Sequence, residues 1–185
     1  VATAVDHPLR LVDGGVPCFV MHGNRDFLIG ERFCRDTGAT LLDDGTIAER
    51  HGRRVLLMHG DALCTDDVSY QRLRRLVRSP VVRWVFGRLS LVQRRALAAK
   101  LRAGSRRHIG MTAPEIMDVN AAAVAEAFRS SGVDTLIHGH THRPAVHRLD
   151  NGRQRIVLGD WYEQGSVLRV DSAGLELAHL PLTAG

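Results

Sequence analysis

Histidine, asparagine and aspartate gather in three short segments: His22-Gly23-Asn24-Arg25-Asp26, His59-Gly60-Asp61 and His138-Gly139-His140-Thr141-His142. Imidazole nitrogens and amide or carboxylate oxygens are common ligands of divalent metal ions. Two such ions about 3.5–4 Å apart can hold both the attacking and the leaving oxygen of a phosphoryl displacement. Asn24, His59, His140 and His142 supply that ligand set, so metal-assisted hydrolysis is the leading chemistry. Each segment carries a glycine beside the candidate ligand, where sharp turns and close backbone approach bring side chains around an ion. One histidine behind a strand is more often an ordinary core or surface residue, and the inference rests on three matched segments. His138, His140 and His142 would share a face only in an extended chain. Gly139 is expected to break that geometry, which sets His138 apart. Arg25 could neutralise a phosphate oxygen or form a surface ion pair. Asp26 and Asp61 could orient ligand histidines from behind, or simply cap turns.

Such residues need a scaffold, and each segment follows a short apolar run: Cys18-Phe19-Val20-Met21, Val55-Leu56-Leu57-Met58 and Leu136-Ile137. Runs of this kind fit buried strands. Ligands of open α/β sheets collect beyond the carboxyl ends of the strands, so all three segments are expected at one edge of one sheet. Ala2, Val5, Leu9 and Val12 have helical spacing up to Gly14-Gly15, and residues 30–35 read as a short helix. Thr40–Leu42 and Thr46–Glu49 read as strands around an Asp43-Asp44-Gly45 turn. From Asp67 to Arg107 the pattern is helical, with Pro80 and Gly87 expected to cut it. Asp118–Ser131 reads as a helix capped by Asp118, with Val119, Ala122, Ala123 and Phe128 on its apolar side. Residues 155–158, 166–170 and 175–180 alternate as strands. The expected architecture is an α/β sheet core, a helical basic insertion and a β-rich end.

The net charge of +5 is concentrated in one place. Residues 68–114 contain eleven arginines and Lys100 and no acidic residue, whereas the other 138 residues carry 13 basic and 20 acidic side chains. With Trp84, Phe86 and a broad aliphatic face, that insertion suits an anionic membrane surface or acyl chains. A solvated arginine face on helices that merely pack is the plainer reading. Nucleic acid is disfavoured by the few aromatics and the absence of a known binding module. One domain fits the length of 185 residues. Three cysteines without a Cys-x-x-Cys pair, no long apolar run and no secretory start read as a soluble protein of a reducing compartment.

In order and spacing, Gly23-Asn24-Arg25-Asp26, His59-Gly60 and Gly139-His140-Thr141-His142 resemble the later motifs of the calcineurin-like metallophosphoesterases. The longer runs around them resemble more closely the family of UDP-2,3-diacylglucosamine diphosphatases of lipid A biosynthesis. These runs are Val16-Pro17-Cys18 with 22–28, Met58-His59-Gly60-Asp61 with 63–67, Ile116-Met117-Asp118-Val119-Asn120 and 137–147. The resemblance implies a metallophosphoesterase β-sandwich flanked by helices, with a single domain over 1–185 and a helical lid insertion at about 67–112. It implies two Mn²⁺ ions, with Asn24, His59 and His140 on one and His142 on the other. It further implies hydrolysis of the acylated UDP-sugar to 2,3-diacylglucosamine 1-phosphate and UMP, through water attack on the α-phosphorus. Asn24, Arg25, Asp67, Ser105 and His140 match substrate-contacting positions. Two further contacts, Asn and Lys in familiar members, fall here on Ile109 and Thr112, and Arg106, Arg107 or His108 could take their place. A cytoplasmic protein peripheral on the inner membrane is implied. The family's Asp-x-His and first Gly-Asp motifs should precede Gly23 and do not. The chain is therefore expected to continue a longer protein whose first β-α-β portion lies upstream, and to be inactive alone. Another metallophosphoesterase, a nucleotide phosphodiesterase or nuclease, and a metal-free binding scaffold are the alternatives.

Overall fold

The computed structural model describes residues 6–24, 26, 29–111, 116, 118–162 and 165–182. Thr112, Arg25, Phe27 and Leu28 lie outside the described residues, as do the side chains of Ser105, Arg106, Arg107, His108 and Ile109. The chain divides into two compact units, one of 1–61 with 121–185 and one of 62–120.

The first unit is α/β. Helix α1 (Asp6–Asp13) leads to β1 (Phe19–Met21), and α2 (Glu31–Thr37) leads to β2 (Thr40–Leu42). Strands β1 and β2 pair in parallel. A mixed five-stranded sheet follows in the order β3-β4-β5-β7-β6, with β3 (Thr46–Arg50), β4 (Arg53–Met58), β5 (Thr135–His138), β6 (Ala145–Arg148) and β7 (Gln154–Val157). Strands β4, β5 and β7 are parallel, and β3 and β6 run antiparallel along the two edges. The β8 (Ser166–Val170) and β9 (Leu175–His179) hairpin completes the strands.

Alternation along the parallel strands sends side chains to two faces. Val55, Ile137 and Ile156 form a buried cluster on which Leu168, Leu175 and Leu177 of the β8–β9 hairpin pack. One sheet thus covers another, and the interior is apolar. Leu136 and Val157 are buried on the opposite face. Helix α6 (Ala121–Ser131) buries Val124 and Phe128, one turn apart, and the Arg153 guanidinium lies 5.5 Å from the Phe128 ring.

The second unit is helical: α3 (Val68–Val77), α4 (Pro80–Arg88) and α5 (Leu91–Met111). Pro80 does break the pattern, entering α4 at its first turn behind the cap of Ser79 Oγ on Val82 N–H. Gly87 does not break it and lies inside α4. The break falls at Ser90 instead, where Ser90 Oγ accepts from Gln93 N–H and Gln93 Oε1 accepts from Ser90 N–H, a reciprocal capping box. Arg94 donates to the Gly87 and Leu89 carbonyls, satisfying the end of α4.

Three further expectations are corrected. Asp43-Asp44-Gly45 does not close a hairpin, because β2 leaves to pair with β1. The hairpin is β3–β4, turned by His51 (φ 50°) and Gly52 (φ 70°), both left-handed as a type I′ turn requires. The three candidate-ligand segments do not leave one sheet: β4 and β5 are neighbours, but β1 belongs to the separate β1–β2 pair. Helix α6 begins at Ala121 rather than Asp118, whose carboxylate takes the N–H of Val119, and Ala122 faces solvent.

Candidate metal centre

The parallel register of β4 and β5 sets Met58 beside His138, so His59 and Gly139 emerge side by side at the carboxyl ends of the strands. A hydrogen bond from Gly139 N–H to the His59 carbonyl, 3.0 Å, carries the ladder one step past the sheet. Beyond it the chain turns sharply. His140 and His142 both have left-handed backbones, at φ 67° and 52°, which L-residues adopt only where the surroundings hold them. The run after His138 is therefore not an extended strand.

That turn brings the His59 and His140 rings to 5.1 Å between centroids, edge to face. His59 is fixed from behind: its N–H donates to Asp44 Oδ1 at 2.8 Å, and its Nε2 is shielded from solvent, as is Oδ1 of Asp61. His140 has its pKa lowered from 6.5 to about 4, first by burial, then by His59, against the opposing pull of Asp61, with smaller contributions from His142 and His138. Its ring is neutral near pH 7, the form in which imidazole offers a lone pair. His142 is more exposed, with Nδ1 at 3.7 Å from Asp160 Oδ2.

The Asn24 segment reaches the same place from β1. A Cβ on Gly23 would lie 3.3 Å from His59 Cε1 and 2.9 Å from Asp26 Oδ1, so glycine here eases the close approach of this loop to His59. Asp26 Oδ1 is buried with no hydrogen-bond partner among the described residues, and Asn24 is exposed. His22 is engaged elsewhere, with its Nε2 on the Ile29 carbonyl. Imidazoles, a buried carboxylate oxygen and an amide oxygen fit a divalent ion in kind. Among the described residues, no three His, Cys, Asp or Glu side chains close around a single point.

Asp67 belongs to the helical unit, where its Oδ1 accepts from Tyr70 N–H and Ser69 Oγ and caps α3. Sequence reasoning passed over Asp44, Arg155 and Asp160. Asp44 sits in an apparent turn, and Arg155 and Asp160 bracket the β7 strand end, so their roles depend on register rather than motif.

No family model matches the chain. It is 53% identical over 172 residues to the UDP-2,3-diacylglucosamine hydrolase of Pseudomonas fluorescens SBW25, covering 91% of this chain and 69% of that protein. The chain belongs to the UDP-2,3-diacylglucosamine hydrolase family. Members from Pseudomonas aeruginosa PAO1 (52% identity, 94% of this chain, 73% of that protein) and Enterobacter sp. 638 (51%, 92% and 72%) match over nearly the same span. Among solved structures, an archaeal phosphodiesterase aligns with a TM-score of 0.47 at 13% identity, over 94% of this chain and 74% of its own. The Zn-bound Vps29 of Entamoeba histolytica aligns with a TM-score of 0.41 at 12% identity, over 97% and 91%. Membership in the hydrolase family rests on the sequence relatives alone.

Proposed function

We propose that the intact protein hydrolyses the diphosphate of UDP-2,3-diacylglucosamine, giving UMP and 2,3-diacylglucosamine 1-phosphate as a step of lipid A biosynthesis. The observation that supports it best is the His59–His140 pair at the ends of adjacent parallel strands, in a chain half identical to hydrolases of that substrate.

Asn24, His59 and His140 would hold one divalent ion and His142 a second, with Mn²⁺ the expected metal. When bound, the ions supply Lewis acidity that activates water and offsets charge at the α-phosphorus. The chain itself supplies position and protonation state. Burial holds His140 neutral as a lone-pair donor, Asp44 fixes the His59 backbone, and Gly23 lets the Asn24 loop close on His59. Asp26 and Asp61 orient the donors from behind. Arg25, Asp67 and Ser105 are proposed to contact substrate alongside Asn24 and His140.

The helical unit is proposed to take acyl chains and an anionic inner-membrane surface. Val81, Trp84, Leu91 and Val92 are exposed there among the arginines, while no described helix is long and apolar enough to cross a membrane. Comparing turnover of the acylated UDP-sugar, a bare dinucleotide polyphosphate and DNA by the intact protein tests the assignment. Preference for either of the latter two would replace it with a nucleotide phosphodiesterase or a nuclease, and absence of metal-dependent turnover on all three would leave a binding scaffold.

A further inference from the structure

The first histidine of the His138-Gly139-His140-Thr141-His142 segment has a different environment from the other two. His138 is 1% exposed, inside the sheet rather than beyond it. Both ring nitrogens are engaged: Nε2 lies 3.1 Å from Arg155 Nη1, and Nδ1 lies 2.9 Å from the Gly139 carbonyl oxygen. A guanidinium has donors only, so Nε2 must accept. The ring proton is then on Nδ1, which donates to the Gly139 carbonyl. The Gly60 backbone lies at the same Nδ1 edge of the ring: a Cβ there would stand 2.8 Å from Nδ1 and 3.1 Å from Gly139 O. Gly139 N–H in turn holds the His59 carbonyl.

We propose that His138 is a positioning residue, a neutral imidazole that Arg155 fixes as the Nδ1–H tautomer and that clamps the turns carrying His59 and His140. The Nδ1 edge of the ring lies beside Gly60, and its proton holds the peptide from which His140 departs in a left-handed conformation. Arg155 reaches it from the neighbouring strand β7, where it is in register with Leu136, two residues before His138 and on the same face. The inference rests on reading His59 and His140 as metal ligands, but the tautomer itself does not.

Long-range ¹H–¹⁵N correlation on the metal-free protein reads the tautomer directly. His138 should show a protonated Nδ1 and an unprotonated Nε2, whereas an Nε2–H tautomer or an imidazolium would overturn the proposal. Arg155→Met should lose that single-tautomer signature and weaken Mn²⁺ binding about tenfold, as loss of a ligand's supporting hydrogen bond does. Arg155→Lys, which keeps a donor, should restore much of both. If Arg155→Met folds and leaves the ¹⁵N pattern and the Mn²⁺ affinity unchanged, the clamp is refuted. His59→Ala separates the two ideas: unchanged Mn²⁺ affinity there refutes the ligand reading while leaving the tautomer intact.

Discussion

Gly60→Ala tests how closely the strand ends that lead to His59 and His140 are packed. Gly60 has φ +109°, which costs an L-residue about 1–2 kcal/mol. The added methyl would stand 2.8 Å from His138 Nδ1 and 3.1 Å from the Gly139 carbonyl, one a tightly held ring and the other backbone. Neither can yield freely, and overpacking of this kind costs about 1–3 kcal/mol. The combined loss is about 2–5 kcal/mol, which for a chain of this size lowers Tm by about 4–20 °C. Gly87→Ala is the control: its Cβ meets nothing within 4 Å inside α4, so it should stabilise by about 0.5–1 kcal/mol. Urea unfolding of the metal-free proteins, followed by tryptophan fluorescence and by circular dichroism, gives both numbers. A Gly60→Ala protein within about 0.5 kcal/mol of its parent, smaller than either contribution, would show that the contact between the two turns is not as described.

In the intact protein, His59→Ala and His142→Ala should cut turnover by at least about a hundredfold while changing the unfolding midpoint little, because what they remove is electrostatic support of the reaction; His147→Ala, exposed on β6, should change neither, and equal losses from all three would undo the ligand set. Because His140 has a pKa near 4 in the folded state and about 6.5 unfolded, the unfolded chain takes up the proton first as pH falls. Metal-free stability should then decline from about pH 6.5 to 4, by at most about 3.4 kcal/mol, and a His140→Gln protein with the same slope would refute that assignment. Reversing Arg72, Arg75 and Arg95 to Glu should abolish salt-sensitive binding to phosphatidylglycerol vesicles, with Arg94 left intact because it closes α4; parent protein that ignores such vesicles at low salt removes the membrane reading. Ser90→Ala should cost about 1 kcal/mol through loss of its cap, measured as a shift in the urea midpoint, and no shift would place the α4–α5 corner elsewhere.

The residues behind each apolar run were legible because side-chain type, glycine and strand hydrophobicity coincide within a few positions. His59 and His140 needed only that. What lay beyond sequence was register. Nothing local in Asp43-Asp44-Gly45 says that β2 will pair with β1, since that choice is made by a strand about twenty residues earlier. The His51-Gly52 turn was readable in principle, but histidine is not a usual first residue of a type I′ turn. Gly87 misled because glycine weakens a helix without ending it, whereas the Ser90-x-x-Gln93 cap was in plain sight. His138 could be set apart by its glycine neighbour, yet its bond to Arg155 depends on which strand adds next to β5.

The order of strands in the sheet also bears on the order in which the protein folds. Strands β3 with β4, and β6 with β7, are joined by short connections and can zip up locally. The β4–β5 seam joins Val55 to Thr135, roughly 80 residues apart, and closing so long a loop is entropically unfavourable until the intervening helices have shortened it. His59 and His140 lie across that seam. The turns that carry His59 and His140 should therefore be assembled last, after both edge hairpins are protected, and pulsed hydrogen exchange during refolding should find the amide of Gly139 among the slowest to gain protection.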